Sequence, residues 1–272
     1  MKIEKYTFIT GASTGLGKEL ALECARLRKN LILTALPGEE INQMGLDLAK
    51  KYHVQVKTFE LDLTQIGAVE FLVDKIDDLE IEILINNAGV GGTQSFLEAT
   101  PEYIDQIVML NMRALVLLSR LLLPVLKRQG KAYILNIASM ASFGPMPFKT
   151  VYPASKAFVY SFSRGLGAEL KGTGITVSVA HPGGMRTNAD VTRRIDSHNR
   201  FIRSTALSSA KVAQICIRQL LRDDELIIPG VMNKLSWLMF KIVPVWMRLK
   251  IMRISLRNEI KSTKPIVGNI CK

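Results

Sequence analysis

Seven short apolar runs recur along the chain, and each of the first six leads into a stretch of helical character. The runs are YTFIT (6–10), LILTA (31–35), VKTFEL (56–61), IEILIN (81–86), AYILNIA (132–138), ITVSVA (175–180) and LIIPG (226–230). Several are almost free of polar residues, the pattern of strands covered on both faces. Helical stretches occupy 15–28, 39–52, 65–77, 101–126, 152–171 and 208–222. Alternation sustained this far leaves few folds open. It predicts an α/β chain with a doubly wound, parallel, seven-stranded sheet and helices on both faces. Thr100-Pro101 opens one helix with a capping residue and a proline at the first position, and Ser208 can cap another. Residues 1–230 read as one domain and residues 231–272 as a C-terminal helical extension. On such sheets ligands sit beyond the carboxyl ends of the strands, so functional residues are sought there.

The bulk of the chain supports a folded globule: 48% of residues are hydrophobic and 22% charged, which argues against disorder. Cys24, Cys216 and Cys271 form no Cys-x-x-Cys pair, so neither a zinc site nor a disulfide framework is expected. His53, His181 and His198 are too scattered to suggest a metal cluster. The N-terminus lacks a signal-peptide pattern, and a reducing, cytoplasmic setting is expected.

Charge is unevenly placed. Residues 1–185 carry 19 Lys+Arg against 18 Asp+Glu, residues 186–222 carry 8 against 2, and residues 229–272 carry 9 against 1. A basic final third on a neutral body indicates a local surface and not a general affinity for polyanions. No nucleic-acid recognition motif is present.

The first strand turns at once into a helix through TGASTGLGKELA, with glycines at 11, 15 and 17. Such a turn brings bare backbone N–H groups up to a phosphate. Its spacing differs from the general G-x-G-x-x-G fingerprint, and a tight turn that binds nothing is the alternative. Further on, Tyr152 and Lys156 stand four residues apart and share a helix face. Ser139 lies 13 positions before Tyr152. Asn111 interrupts the otherwise apolar helix YIDQIVMLNMRALVLL, where a buried amide needs partners.

Taken in order, TGASTGLG (10–17), LDL with Asp62, NNAG (86–89), Asn111, Ser139, Tyr152-x-x-x-Lys156 and HPGGMRT (181–187) resemble the short-chain dehydrogenase/reductase family over about residues 5–190. The resemblance implies a Rossmann-type fold and an NAD(P)(H)-dependent oxidoreductase that interconverts a carbonyl and a secondary alcohol. It implies cofactor contacts from Gly11, Ser13, Thr14, Gly15, Leu16 and Gly17, and from Asp62 and Leu63 toward the adenine. Asn87, Ala88 and Gly89 would line the adenosine side, and Pro182, Gly183 and Thr187 the nicotinamide side. Asp62 could instead cap a helix, as could Thr187, and Asn86 and Asn87 could only tie loops together. Tyr152 would be the general acid/base, with Lys156 lowering its pKa and holding the nicotinamide ribose. Ser139 would hold the substrate oxygen, or cap its loop. Asn111 would hold a water in a proton relay, or make a helix–helix hydrogen bond. Pro153 places the start of this helix at or just before Tyr152.

The second strand ends in LTALPGEE. Ala35 stands where NAD-preferring enzymes place an acid, so the repulsion of a 2′-phosphate is missing. Leu36 stands where an arginine often attracts that phosphate. Ser13 or Thr14 could bind it, and Glu39 and Glu40 stand close enough in sequence to complicate the choice; NADP(H) is expected over NAD(H).

Phe143, Met146 and Phe148 are candidates for an apolar substrate pocket, or for packing. Residues 186–207 form a polar, basic lid. A lipid-, acyl- or steroid-like substrate is expected, and a homo-oligomer. The tail at 231–260 interleaves aromatic, aliphatic and basic residues, and its apolar run is short of the ~20 residues that span a bilayer. It could lie on an anionic membrane, pack on the domain, or pair with another subunit. Two other functions stay open: a cofactor-binding sensor or scaffold with little chemistry, and an interaction protein acting through its tail.

Overall fold

The computed structural model describes residues 4–186 and 206–262, with side chains through Arg253. Six strands follow the expected order: β1 (Lys5–Thr10), β2 (Asn30–Ala35), β3 (Val56–Glu60), β4 (Glu80–Asn86), β5 (Ala132–Ile137) and β6 (Ile175–Ala180). Two short strands, β7 (Met185–Arg186) and β8 (Leu207–Ser208), pair with each other. The last strand, β9 (Leu226–Ile227), joins the edge of the main sheet. That sheet has seven strands in the order β3-β2-β1-β4-β5-β6-β9, and every pairing is parallel. The seventh run is shorter than the sequence suggests: only Leu226 and Ile227 pair, opposite Val179 and Ala180.

The helices are α1 (Gly15–Arg26), α2 (Ile41–Tyr52), α3 (Ala68–Asp74), α4 (Pro101–Val108), α5 (Leu115–Arg128), α6 (Val151–Glu169), α7 (Ser209–Leu220), α8 (Val231–Ile242) and α9 (Val245–Ser262). The expected caps are present. Thr100 accepts from the Tyr103 N–H, with Pro101 at the first position, and Ser208 accepts from the Lys211 N–H.

Successive strand residues point to opposite faces, and each face has its own core. On one side Ile9, Leu31, Leu33, Ile83 and Leu135 pack with Leu20, Cys24, Ile41, Val212 and Cys216 of α1, α2 and α7. On the other, Phe8, Ile32, Leu84 and Ile134 pack with Leu72, Leu118, Leu122 and Leu126 of α3 and α5. Burial pushes the free thiols of Cys24 and Cys216 up to about 12, so both act as small apolar residues.

One expectation is corrected here. The single helix expected over 101–126 is a helical run in which a π-helical segment, Met109–Ala114, separates α4 from α5. A π segment widens the turn and re-aims a side chain, and such segments concentrate at functional sites; this one carries Asn111. The run Pro101–Arg128 is long and apolar enough by composition to cross a membrane. Its Leu118, Leu122, Val125 and Leu126 are instead part of the core beneath the sheet.

From β1 the chain winds outward through β2 and β3, then returns to place β4 on the other side of β1. Crossovers therefore diverge at the carboxyl ends of β1 and β4, and a crevice opens there.

Candidate active site

The floor of the crevice is the turn between β1 and α1. Gly11 (φ +62°) and Gly15 (φ +56°) both lie in the left-handed region. A Cβ on Gly11 would come within 2.9 Å of the Ala88 Cα, so the bare backbone is what lets β1 and β4 approach. Thr14 is the N-cap of α1 in extended conformation, with no side-chain cap, and the first turn holds no acid. The positive end of the helix thus faces the crevice uncompensated. This donor set fits a dinucleotide pyrophosphate.

Asn87 ties this floor together. Its Nδ2 donates to the carbonyls of Thr10 (3.0 Å) and Gly11 (2.9 Å). The Asn87 and Ala88 N–H groups donate to Thr10 Oγ1. The loop-tying alternative is therefore what the Asn87 side chain does. Asn86 is buried and donates to Ser119 Oγ and Asn136 Oδ1, tying β4 to α5 and β5. Gly17 packs so closely that a Cβ there would fall 1.9 Å from the Gly11 carbonyl oxygen. Leu16 and Leu63 point into the core, which leaves their backbone for any ligand.

Asp62 Oδ1 accepts from the Thr64 N–H (2.9 Å) and hydroxyl (2.8 Å), and Oδ2 accepts from Gln65. Burial raises its pKa, but these hydrogen bonds outweigh burial and hold it below the usual carboxylate range. The carboxylate organises its own loop, beyond the end of β3. Ser13 Oγ donates to the Glu39 carboxylate, which brings an acid beside the glycine turn.

The wall of the crevice is built from β5 and α6. Lys156 is 5% exposed, and its Nζ donates to the Ile137 carbonyl at 2.9 Å. Burial lowers its pKa to about 8. The Nζ lies 6.0 Å from the centroid of the Tyr152 ring. The helix begins at Val151, as Pro153 suggests, so the phenol projects from its first turn. The expected lowering of the Tyr152 pKa by Lys156 is not found. Burial raises the phenol, and the Ser139 hydroxyl beside it offsets only part of that rise. The ammonium is turned to the Ile137 carbonyl, and desolvation dominates.

Asn111 is 1% exposed and pinned. Its Oδ1 accepts from the Val90 N–H (2.9 Å), and its Nδ2 donates to the Val90 carbonyl (2.9 Å) and Ser155 Oγ (3.0 Å). Both amide protons are used, so the loop after β4 is clamped to α6. Gly89 sits between the amide and the ammonium: a Cβ there would lie 3.0 Å from Asn111 Oδ1 and 3.2 Å from Lys156 Nζ.

Ser139 caps a 3-10 turn, Met140–Phe143, and accepts from the Ala141 N–H at 3.1 Å. Loop capping and contact with Tyr152 are thus combined in one hydroxyl. Sequence reasoning missed what supports this turn. Ser142 Oγ donates to the Ser139 carbonyl (2.6 Å), and His181 Nδ1 lies 2.8 Å from Ser142 Oγ and 3.1 Å from the Ser139 carbonyl. Burial lowers the His181 pKa to about 4, so the ring is neutral. Its position before Pro182 at the end of β6 was the available signal. Phe143 stacks on His181 at 4.4 Å and meets Tyr160 and Trp237 edge-on; it packs, as its alternative reading allows. The Met140 N–H donates to the Pro182 carbonyl, and Gly183 abuts Asn233 of α8. Arg248 Nη1 of α9 donates to the Phe143 carbonyl at 2.9 Å. Thr187 and most of the lid lie outside the described residues.

Beside Tyr152 a cleft is lined by Gly92, Phe96, Tyr103, Ile107, Thr150 and Val151. Gly91, also missed, lies against the Tyr152 ring; the glycines at 89, 91 and 92 were the signal. Among the described residues no His, Cys, Asp and Glu cluster could hold a metal.

Known proteins resemble this chain in sequence and in fold. A family model described as short chain dehydrogenase matches residues 5–198. The very-long-chain 3-oxoacyl-CoA reductase-A of Danio rerio is 34% identical over 185 residues, 66% of this chain and 58% of the reductase. The chain therefore spans less than two thirds of the length of that relative. The bulky-bulky ketone specific alcohol dehydrogenase of Comamonas testosteroni is 26% identical, with a TM-score of 0.74, covering 99% of this chain and 98% of that one. A short-chain dehydrogenase from Sphingobium yanoikuyae in complex with NADPH shares the fold, with 24% identity, a TM-score of 0.77 and coverage of 98% and 99%. With the family match running from β1 past the crevice wall at Lys156, the chain belongs to the short-chain dehydrogenase family.

Proposed function

We propose that the protein is an NAD(P)(H)-dependent oxidoreductase that interconverts a carbonyl and a secondary alcohol on an apolar substrate. One observation carries this reading: Tyr152, beside Ser139, stands over buried Lys156 at the crevice whose floor is an uncapped helix N-terminus. A nicotinamide cofactor, when bound, would supply or accept the hydride. The residues of the chain do the rest. Gly11, Ser13, Thr14, Gly15, Leu16 and Gly17 present the turn to the pyrophosphate. Asp62 and Leu63 would serve the adenine, Asn87, Ala88 and Gly89 the adenosine, and Pro182 and Gly183 the nicotinamide, the role the family resemblance also gives Thr187.

Tyr152 gives its proton to the carbonyl oxygen in reduction, or takes the alcohol proton in oxidation. A phenol with a raised pKa is protonated at neutral pH, the form reduction needs. Ser139 orients the substrate oxygen beside it. Lys156 holds the ribose, and Asn111 fixes the loop against which both pack.

NADP(H) is favoured over NAD(H). Ala35 leaves the end of β2 without an acid, and the Sphingobium relative is named in complex with NADPH. Glu39, held by Ser13, works against this preference and sets its size. The names of the oxoacyl-CoA reductase and the bulky-ketone dehydrogenase support a lipid-, acyl- or steroid-like substrate. A homo-oligomer is the assembly this reading expects. The free, buried Cys24 and Cys216 support a cytoplasmic setting.

The test is nicotinamide absorbance with NADPH and NADH over ketones, aldehydes and ketoacyl thioesters, with Tyr152→Phe beside wild type. Turnover undiminished by the substitution would overturn the mechanism, and faster turnover with NADH the cofactor preference.

A further inference from the structure

The C-terminal extension has two apolar faces, and the domain covers only one. On the inner side, Asn233 is buried and donates to the Pro229 carbonyl, while Trp237 meets Phe143. On the outer side, Val231 (81% exposed), Leu235 (47%), Leu238 (49%), Met239 (48%) and Ile242 (73%) follow one another at spacings of four, three, one and three. That spacing is a single helix stripe. Beyond Pro244, Trp246 (68%) and Ile251 (62%) extend the exposed apolar surface onto α9. Scattered exposed aliphatics need no explanation, but an ordered stripe of five does.

Charge identifies the occupant. Between Val231 and Arg253 stand Lys234, Lys241, Arg248, Lys250 and Arg253, with no Asp or Glu. Lys241 lies over the Trp237 ring at 3.8 Å, at the side of the stripe. We propose that this outer face docks on an anionic lipid surface, with α8 lying in the plane of the interface. Its 12 residues extend about 18 Å, too short to span the ~30 Å hydrocarbon layer. Apolar residues enter the headgroup boundary, flanking lysines meet lipid phosphates, and Trp246 suits the interfacial depth. A second copy of the chain fits less well. Two identical faces paired about a two-fold axis bring Lys234, Lys241, Lys250 and Arg253 against their own copies, with no acid on either side, while Arg248 turns inward to the Phe143 carbonyl.

The inference does not rest on the redox reading, because an inactive chain tests it equally. The full chain carrying Trp237→Phe leaves Trp246 as the one tryptophan. It is sedimented with phosphatidylglycerol–phosphatidylcholine vesicles and with phosphatidylcholine alone. Binding is expected to be at least ~10-fold stronger on the anionic vesicles, to fall with salt, and to shift Trp246 emission to the blue. Leu238→Asp with Ile242→Asp is expected to lower binding at least ~10-fold. Leu238 is about half-exposed and Ile242 more so, so circular dichroism and melting should match the parent. Equal vesicle binding by parent and variant overturns the proposal. So does a parent that binds no vesicles and whose sedimentation-velocity dimer the variant dissolves, which assigns the face to a second copy.

Discussion

Gly91 lies flat against Tyr152: a Cβ on Gly91 would stand 2.3 Å from the ring Cδ2 and 2.7 Å from Cε2. No side chain fits there without turning the phenol away from Ser139. Gly91→Ala should therefore lower kcat by about 10- to 100-fold through misplacement of the acid/base. Steady-state kinetics checks it, with Gly165→Ala as control. Gly165 lies in α6 with nothing within 4 Å of a new Cβ, so that change should leave kcat alone and stabilise by about 0.5–1 kcal/mol.

Tyr152→Phe removes the proton donor and keeps the ring. We expect kcat to fall by about 10²–10⁴-fold with little change in melting temperature. Single-turnover kinetics with pre-bound cofactor checks this and separates chemistry from binding.

Cofactor choice should respond to two acids in opposite directions. Ala35→Asp places a carboxylate at the end of β2 and should shift the ratio of kcat/KM values toward NADH by at least ~10-fold. Glu39→Gln removes the acid held by Ser13 and should shift it toward NADPH. The two ratios, measured side by side, check the electrostatic origin of the preference.

His181 sets a pH dependence of stability. Its folded pKa is lowered from 6.5 to about 4 by burial, partly offset by the hydrogen bond to the Ser139 carbonyl. Between these values the unfolded chain binds the proton and the folded chain does not, so stability rises with pH. The contribution is complete above 6.5 and is lost as pH falls toward 4, by at most about 3 kcal/mol. Urea titrations across this window should show a smaller slope for His181→Gln than for wild type.

Strand–helix alternation and the glycine turn are local patterns, and both were legible in the residues. So were the spacing of Ser139, Tyr152 and Lys156, the Thr100 and Ser208 caps, and the start of α6 at Pro153. Their information lies within one or two turns of chain, where periodicity and propensity act. The break at Met109–Ala114 was not legible, because π and α turns share one apolar pattern. The electrostatics of Tyr152 were misjudged for a related reason. Sequence spacing places the Lys156 cation one turn away, but not the Ile137 carbonyl that accepts its hydrogen bond or the burial that raises the phenol.

By itself, the sequence determined a parallel sheet, a phosphate-binding turn and the tyrosine–lysine pair. Only the tertiary structure decided how these meet. It set Gly91 under Tyr152, His181 behind Ser139, Glu39 on Ser13 and Arg248 on the Phe143 carbonyl. Each of these contacts joins residues from separate crossovers or from the tail. Chain winding brings them together at the carboxyl ends of the strands, and no local rule encodes that. The outer stripe of α8 belongs to both levels: its spacing is written in the residues, and its exposure follows from which face the domain covers.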